Sequence, residues 1–145
     1  MRRLSKPKQA DLMRRPTIAD YMATDLLVLP PDMEINRAAL TLLEHGYSGA
    51  PVVDDDGTLM GVLSKKDCLR AALNASYYQE WGGIVRDYMH SPAETMAADL
   101  DLVQATQVFL DGHYRRFPIL RDGILVGQIS RADLLRAMAE QWTSI

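Results

Sequence analysis

The chain contains the same segment twice, and this duplication limits its possible folds more than any other feature. Asp20-Tyr21-Met22 returns as Asp87-Tyr88-Met89, and Pro51 returns as Pro118, each 67 residues later. Gly61, Ser64 and Asp67 return as Gly127, Ser130 and Asp133, now 66 residues later. The lost residue falls where "DDDGT" has become "RDGI". A surface turn is where a duplicated unit best tolerates a deletion.

Both copies predict the same elements. A short segment ends at Asp-Tyr-Met, and an extended stretch follows, "DLLVLPPD" or "AETMAADL". An amphipathic helix comes next. Its first copy carries Ala38, Ala39, Leu42 and Leu43 and stops at Gly46; its second carries Leu102, Ala105, Val108 and Phe109 and stops at Gly112. The strand "APVV" or "FPIL" leads into an Asp-Gly hairpin signal. The strand "LMGVLS" or "ILVGQIS" then runs into a last helix. It carries Leu69, Ala72 and Leu73 in the first copy, and Leu134, Leu135, Met138 and Trp142 in the second. The prediction is an α+β fold of two β-α-β-β-α repeats, at 18–75 and 85–142, joined by a linker at 76–84. Units of this size bury little core alone, so they should pack together. Tyr77, Tyr78 and Trp81 are expected over the joint, with Gly82-Gly83 turning the chain.

Residues 1–17 form a basic arm of six cationic side chains against Asp11, or +5. The net charge of −3 leaves −3 − 5 = −8 on the remainder. Such an arm could meet nucleic acid or an acidic protein surface. It lacks the interleaved aromatics that single strands favour, and a solvated, partly disordered tail is the expected reading, so nucleic acid is not the expected partner. No apolar run approaches a membrane span, and no secretory h-region precedes the repeats. Cys68 is the only cysteine, which excludes an intramolecular disulfide. These features favour a cytoplasmic protein.

In this order and spacing, the repeated Met, the apolar-Pro-apolar strand and the Gly-x-x-Ser-x-x-Asp turn resemble a tandem pair of CBS (cystathionine-β-synthase) domains, a Bateman module. The resemblance implies two repeats packed through their sheets with pseudo-two-fold symmetry and two clefts between them. It also implies adenosine-containing ligands (AMP, ADP, ATP or S-adenosylmethionine), a homodimer, and regulation of an unidentified protein by a stand-alone pair. No cofactor, metal or catalytic activity is expected.

Gly-x-x-Ser-x-x-Asp supports two readings. A helix N-terminus suits phosphate, Ser64 or Ser130 adds a hydroxyl, and Asp67 or Asp133 could accept from ribose hydroxyls. The glycine leaves room for ligand or backbone. Ser-x-x-Asp is equally a capping box that needs no ligand. The resemblance places the other cleft wall at Tyr47, Ser48, Ala50 and Pro51 in the first repeat. In the second it is Tyr114, Arg115, Arg116, Phe117 and Pro118. Arg115 and Arg116 suit phosphate, or form a solvated strand edge. Thr95 matches a family ligand-facing threonine where the first repeat has Val28. The second cleft is therefore expected to be the better anion site. His45, His90 and His113 show no metal-ligand spacing. Asp54, Asp55 and Asp56 read as a solvated turn.

Overall fold

The computed structural model describes residues 15–79 and 82–143. The arm up to residue 14, and Trp81, lie outside the described residues. Repeat one comprises α1 (Ile35–His45), β1 (Gly49–Val53), β2 (Leu59–Ser64) and α2 (Lys65–Tyr78). Repeat two opens with a single helical turn, α3 (Val85–Tyr88). It continues through β3 (Met96–Ala97), α4 (Leu102–Asp111), β4 (Arg116–Arg121), β5 (Ile124–Ser130) and α5 (Arg131–Thr143). A 3-10 turn at Ile18–Asp20 is the counterpart of α3.

The two sheets share one plan. β1 and β2 pair antiparallel, as do β4 and β5. The expected first strand forms only partly. It is a two-residue parallel pairing, Met96 with Ile119, in repeat two and a single bridge, Leu29 with Val52, in repeat one. Pro30-Pro31 directly after Leu29 removes two amide donors from that edge. The hairpins differ as the deletion requires. Asp122 and Gly123 both take positive φ, the condition for a two-residue turn. The longer first turn is held by Asp54, whose Oδ1 accepts from the amides of Asp56 and Thr58 at 3.0 Å each.

The opening segments change places. Ile18 is fully buried in the core of repeat two, with Leu102, Phe109, Phe117 and Ile129. Val85 is fully buried in the core of repeat one, with Leu29, Ile35, Leu42 and Leu63. The backbone bonds mirror each other. The Ile18 and Ala19 amides donate to Leu100 and Ala98, and the Val85 and Arg86 amides donate to Met33 and Pro31. Each core is therefore completed by a residue that precedes the other repeat, which ties the two units together.

Asp-Tyr-Met is the device for this exchange. Asp20 accepts from the Thr17 amide at 2.9 Å, and Asp87 from the Ile84 amide at 3.0 Å, each closing its turn. The Tyr21 hydroxyl meets Gln141 of α5 at 3.1 Å, and the Tyr88 hydroxyl meets Asn74 of α2 at 3.5 Å. Burial pushes the Tyr21 hydroxyl above its ordinary pKa, partly opposed by the Gln141 bond. Met22 and Met89 lie over Gly127 and Gly61. A Cβ on Gly127 would come within 2.8 Å of the Ala23 carbonyl, and one on Gly61 would overlap the His90 carbonyl. The glycines of the repeated turn thus admit backbone.

Two helices turn small residues inward. α2 buries Cys68 and Ala71 and leaves Leu69 and Leu73 exposed; α5 buries Leu134 and Ala137 and leaves Leu135 and Trp142 exposed. Alanine on the inner face lets a helix approach its sheet closely, and the larger residues turn outward. α2 extends through Tyr78, so the expected linker begins inside a helix, and Tyr77 and Tyr78 are exposed rather than packed over the joint.

Candidate ligand cleft

Both Gly-x-x-Ser-x-x-Asp turns form capping boxes. Ser64 Oγ accepts from the Asp67 amide at 3.2 Å, and Asp67 Oδ2 accepts from the Ser64 amide at 2.9 Å. Ser130 Oγ accepts from the Asp133 amide at 3.2 Å, and Asp133 Oδ2 accepts from the Ser130 amide at 3.0 Å. The remaining carboxylate oxygen pairs within the same helix. Asp67 Oδ1 takes Arg70 at 3.0 Å, and Asp133 Oδ1 takes Arg136 at 2.8 Å.

The two aspartates part company in exposure. The Asp67 side chain is 0% exposed and that of Asp133 is 19% exposed. Only Asp133 still presents an acceptor surface to an incoming hydroxyl.

Strand register assembles the rest of the site around the start of α5. Arg116 pairs with Ser130 across β4 and β5. The Arg131 amide donates to the Arg115 carbonyl at 3.1 Å, and Arg131 Nε donates to the Tyr114 carbonyl at 3.2 Å. Tyr114, Arg115, Arg116, Ser130, Arg131 and Asp133 thus share one corner. Arg115, Arg116 and Arg131 are all exposed there. Sequence reasoning missed Arg131, although its place directly after the cap serine was a usable signal. Met96 opposite Ile119 sets Thr95 level with Pro118, on the neighbouring strand.

The corresponding corner of repeat one has the same backbone. Gly49 pairs with Ser64, and the Lys65 amide donates to the Ser48 carbonyl at 2.8 Å. Its exposed cations are Lys65 and Lys66, both from the helix side. On the strand side stand Ser48 and Gly49, where a Cβ at Gly49 would lie 2.8 Å from the Leu63 carbonyl. Val28 occupies the place of Thr95, as the register of Leu29 with Val52 requires. Tyr47 is exposed and stacks on His45 with ring centroids 6.1 Å apart.

Ala50 and Phe117 are buried in the cores of their repeats, and Pro51 and Pro118, the next residues along β1 and β4, are buried as well. Phe117 sits edge-on to Phe109 at 5.0 Å and beside Tyr114 at 5.0 Å. Burial, followed by the Asp67 charge, raises the Cys68 thiol above its ordinary pKa, which keeps it protonated and a poor nucleophile. Among the described residues, no cluster of histidine, cysteine or carboxylate side chains could hold a metal ion. Among them also, no helix is long and apolar enough to cross a membrane. A hollow of 340 Å³ lined by Glu34, Asn36, Gly83 and Ile84 shares no residue with the arginine corner.

Known proteins match this architecture. CBSX2 from Arabidopsis thaliana, in a crystal structure with AMP, superposes with a TM-score of 0.75 at 30% identity, covering 87% of this chain and 98% of that one. A CBS domain pair of the protein MJ0100, crystallised with 5′-methylthioadenosine and S-adenosylmethionine, shares the fold with a TM-score of 0.70 at 18% identity, over 88% and 99% of the two chains. The A-adding tRNA nucleotidyltransferase of Aquifex aeolicus is 28% identical over 85% of this chain, which spans only 14% of that enzyme. The chain likewise spans 63% of full-length chloroplastic CBSX2, at 26% identity over 83% of this chain. The sequence model of the CBS domain matches twice, at residues 18–74 and 85–140, so the chain belongs to the CBS domain family and carries a tandem pair.

Proposed function

We propose that this CBS pair is a regulatory module that binds an adenosine-containing ligand in the cleft of its second repeat and acts through a partner protein. One observation carries the reading: Arg115, Arg116 and Arg131 are exposed around the start of α5, beside an Asp133 that keeps 19% of its side chain exposed. Guanidinium groups and helix-end amides suit phosphate. A carboxylate acceptor suits a ribose diol. Thr95, directly before β3, supplies a hydroxyl. Pro118 would form the apolar floor, with Phe117 behind it in the core and Tyr114 at the rim. AMP in CBSX2, at 30% identity, supports the ligand class. In repeat one, Tyr47, Ser48, Ala50, Pro51, Ser64 and Asp67 form the weaker cleft. The module needs no cofactor and performs no catalysis in this reading. The ligand class goes with the cytoplasmic location favoured by the sequence.

Calorimetric titration with AMP, ADP, ATP and S-adenosylmethionine tests the proposal, with thermal unfolding alongside. A ligand that binds only the folded form must raise the unfolding temperature. Arg116→Ala should weaken phosphate-bearing ligands without unfolding the protein. The absence of both heat and thermal shift with all four would reject the reading.

A second reading rests on the exposed helix faces. Leu40, Leu43, Leu69, Leu73, Leu110, Leu135 and Trp142 are large, apolar and exposed on α1, α2, α4 and α5. They suit a homodimer, and a dimerisation platform could work without ligand. A dimer that retains its partner after Asp133→Ala and Arg116→Ala would favour this version.

A further inference from the structure

Three groups reach the Asp67 carboxylate, and only one lacks a counterpart at Asp133. Ser64 corresponds to Ser130 and Arg70 to Arg136, and the backbone caps and arginine pairs match in both repeats, although only the Ser64 hydroxyl also donates to its aspartate, to Asp67 Oδ2 at 2.8 Å. The third group is His90, whose Nδ1 lies 3.7 Å from Asp67 Oδ1. His90 comes from the exchanged segment of repeat two and follows Met89 as Ala23 follows Met22. Its backbone is fixed on β2. The Val62 amide donates to the His90 carbonyl at 3.0 Å, and the His90 amide donates to the Val62 carbonyl at 2.9 Å. Ala23 makes the same two bonds with Gln128, at 2.8 and 2.9 Å. The two segments therefore hold residues 23 and 90 alike and differ in what the side chain covers. Asp133, with Ala23 at this position, is 19% exposed; Asp67, with Ser64, Arg70 and the His90 imidazole around it, has no exposed surface.

We infer that His90 is a gate that closes the first cleft to ribose, and that residues 23 and 90 set how many ligands the pair accepts. The mechanism is steric and electrostatic. The imidazole occupies the approach to Asp67 Oδ1 and offers a polar edge to an oxygen that would otherwise accept from ribose. Its side chain is 68% exposed, so it can be removed without opening a core cavity. This inference rests on the adenosine-ligand reading of the second cleft.

Adenosine is the appropriate probe, because it carries base and ribose but no phosphate, so the count does not depend on Arg115 and Arg116. Calorimetric stoichiometry should be one adenosine per chain for the wild type and two for His90→Ala. Ala23→His should lose the wild-type site. One site in both wild type and His90→Ala would overturn the gate and leave the second-cleft reading standing. No site in the wild type but one in His90→Ala would support the gate and overturn the second-cleft reading. Two sites in the wild type, or none in either protein, would overturn the gate. Ala23→His binding as tightly as wild type would also count against it.

Discussion

The two repeats have nearly the same backbone and different chemistry at the mouth of the cleft. The Ser-Asp backbone caps, the register beside them and the exchanged segments correspond closely. What differs is Arg116 against Gly49, Thr95 against Val28, and Ala23 against His90. The first pair lies on β4 and β1, the second directly before the first-strand pairing, and the third arrives from the opposite repeat. Duplication therefore copied the scaffold, while single positions on exposed surfaces diverged at little cost to stability. Position 49 is an exception. A side chain there would press on the Leu63 carbonyl at 2.8 Å, so arginine cannot simply be restored to the first cleft at that residue.

The sharpest break of the comparison lies in the exchanged segments. Ile18→Ala should cost about 2–5 kcal/mol in chemical denaturation, since Ile18 is fully buried. Amide exchange should rise in β4, β5 and α5, although Ile18 lies at the head of repeat one; loss confined to β1 and β2 would refute the exchange. Gly127→Val and Gly61→Val should each cost about 3 kcal/mol, because either side chain must push a methionine and a carbonyl off the strand. Equal effects would confirm that both glycines serve the same purpose.

The aspartates should separate the repeats. Asp67→Ala is expected to cost about 2 kcal/mol, as it removes a fully buried acceptor, a cap and an ion pair. Asp133→Ala should cost about 1 kcal/mol, the value of a cap at a partly exposed site. Thermal unfolding of the two variants reads the difference directly, and the reverse order would contradict the burial. The smallest effect on stability belongs to Arg116→Ala, expected within about 0.5 kcal/mol of wild type. Its effect should appear in binding instead, weakening AMP roughly tenfold, as loss of one charged hydrogen bond implies, and leaving adenosine unchanged.

Much of the scaffold was legible because its signals are local. Gly46 takes positive φ at the end of α1, as its place after an amphipathic run required. Ser64 and Ser130 cap helices because a serine hydroxyl three residues before an aspartate satisfies free amides in any context. The inner faces of α2 and α5 were harder. Leu69 and Leu73 outrank Cys68 and Ala71 in hydrophobicity, yet the smaller residues are buried. Hydropathy weighs area, whereas a helix on a sheet selects the face that allows the closest approach. At the cleft, Arg115 and Arg116 could be read as phosphate ligands. Arg131 sits beside the cap serine in the sequence, but only the pairing of Arg116 with Ser130 brings it to the other two arginines.

The sequence by itself determined the duplication, the order of elements and the two caps. All of these follow from residue types within a few positions of one another. The tertiary structure alone decided that Ile18 and Val85 serve each other's cores, that Gly61 and Gly127 make room for methionines, and that His90 stands over Asp67. Those facts depend on segments far apart in the chain meeting at one surface, which no local pattern encodes.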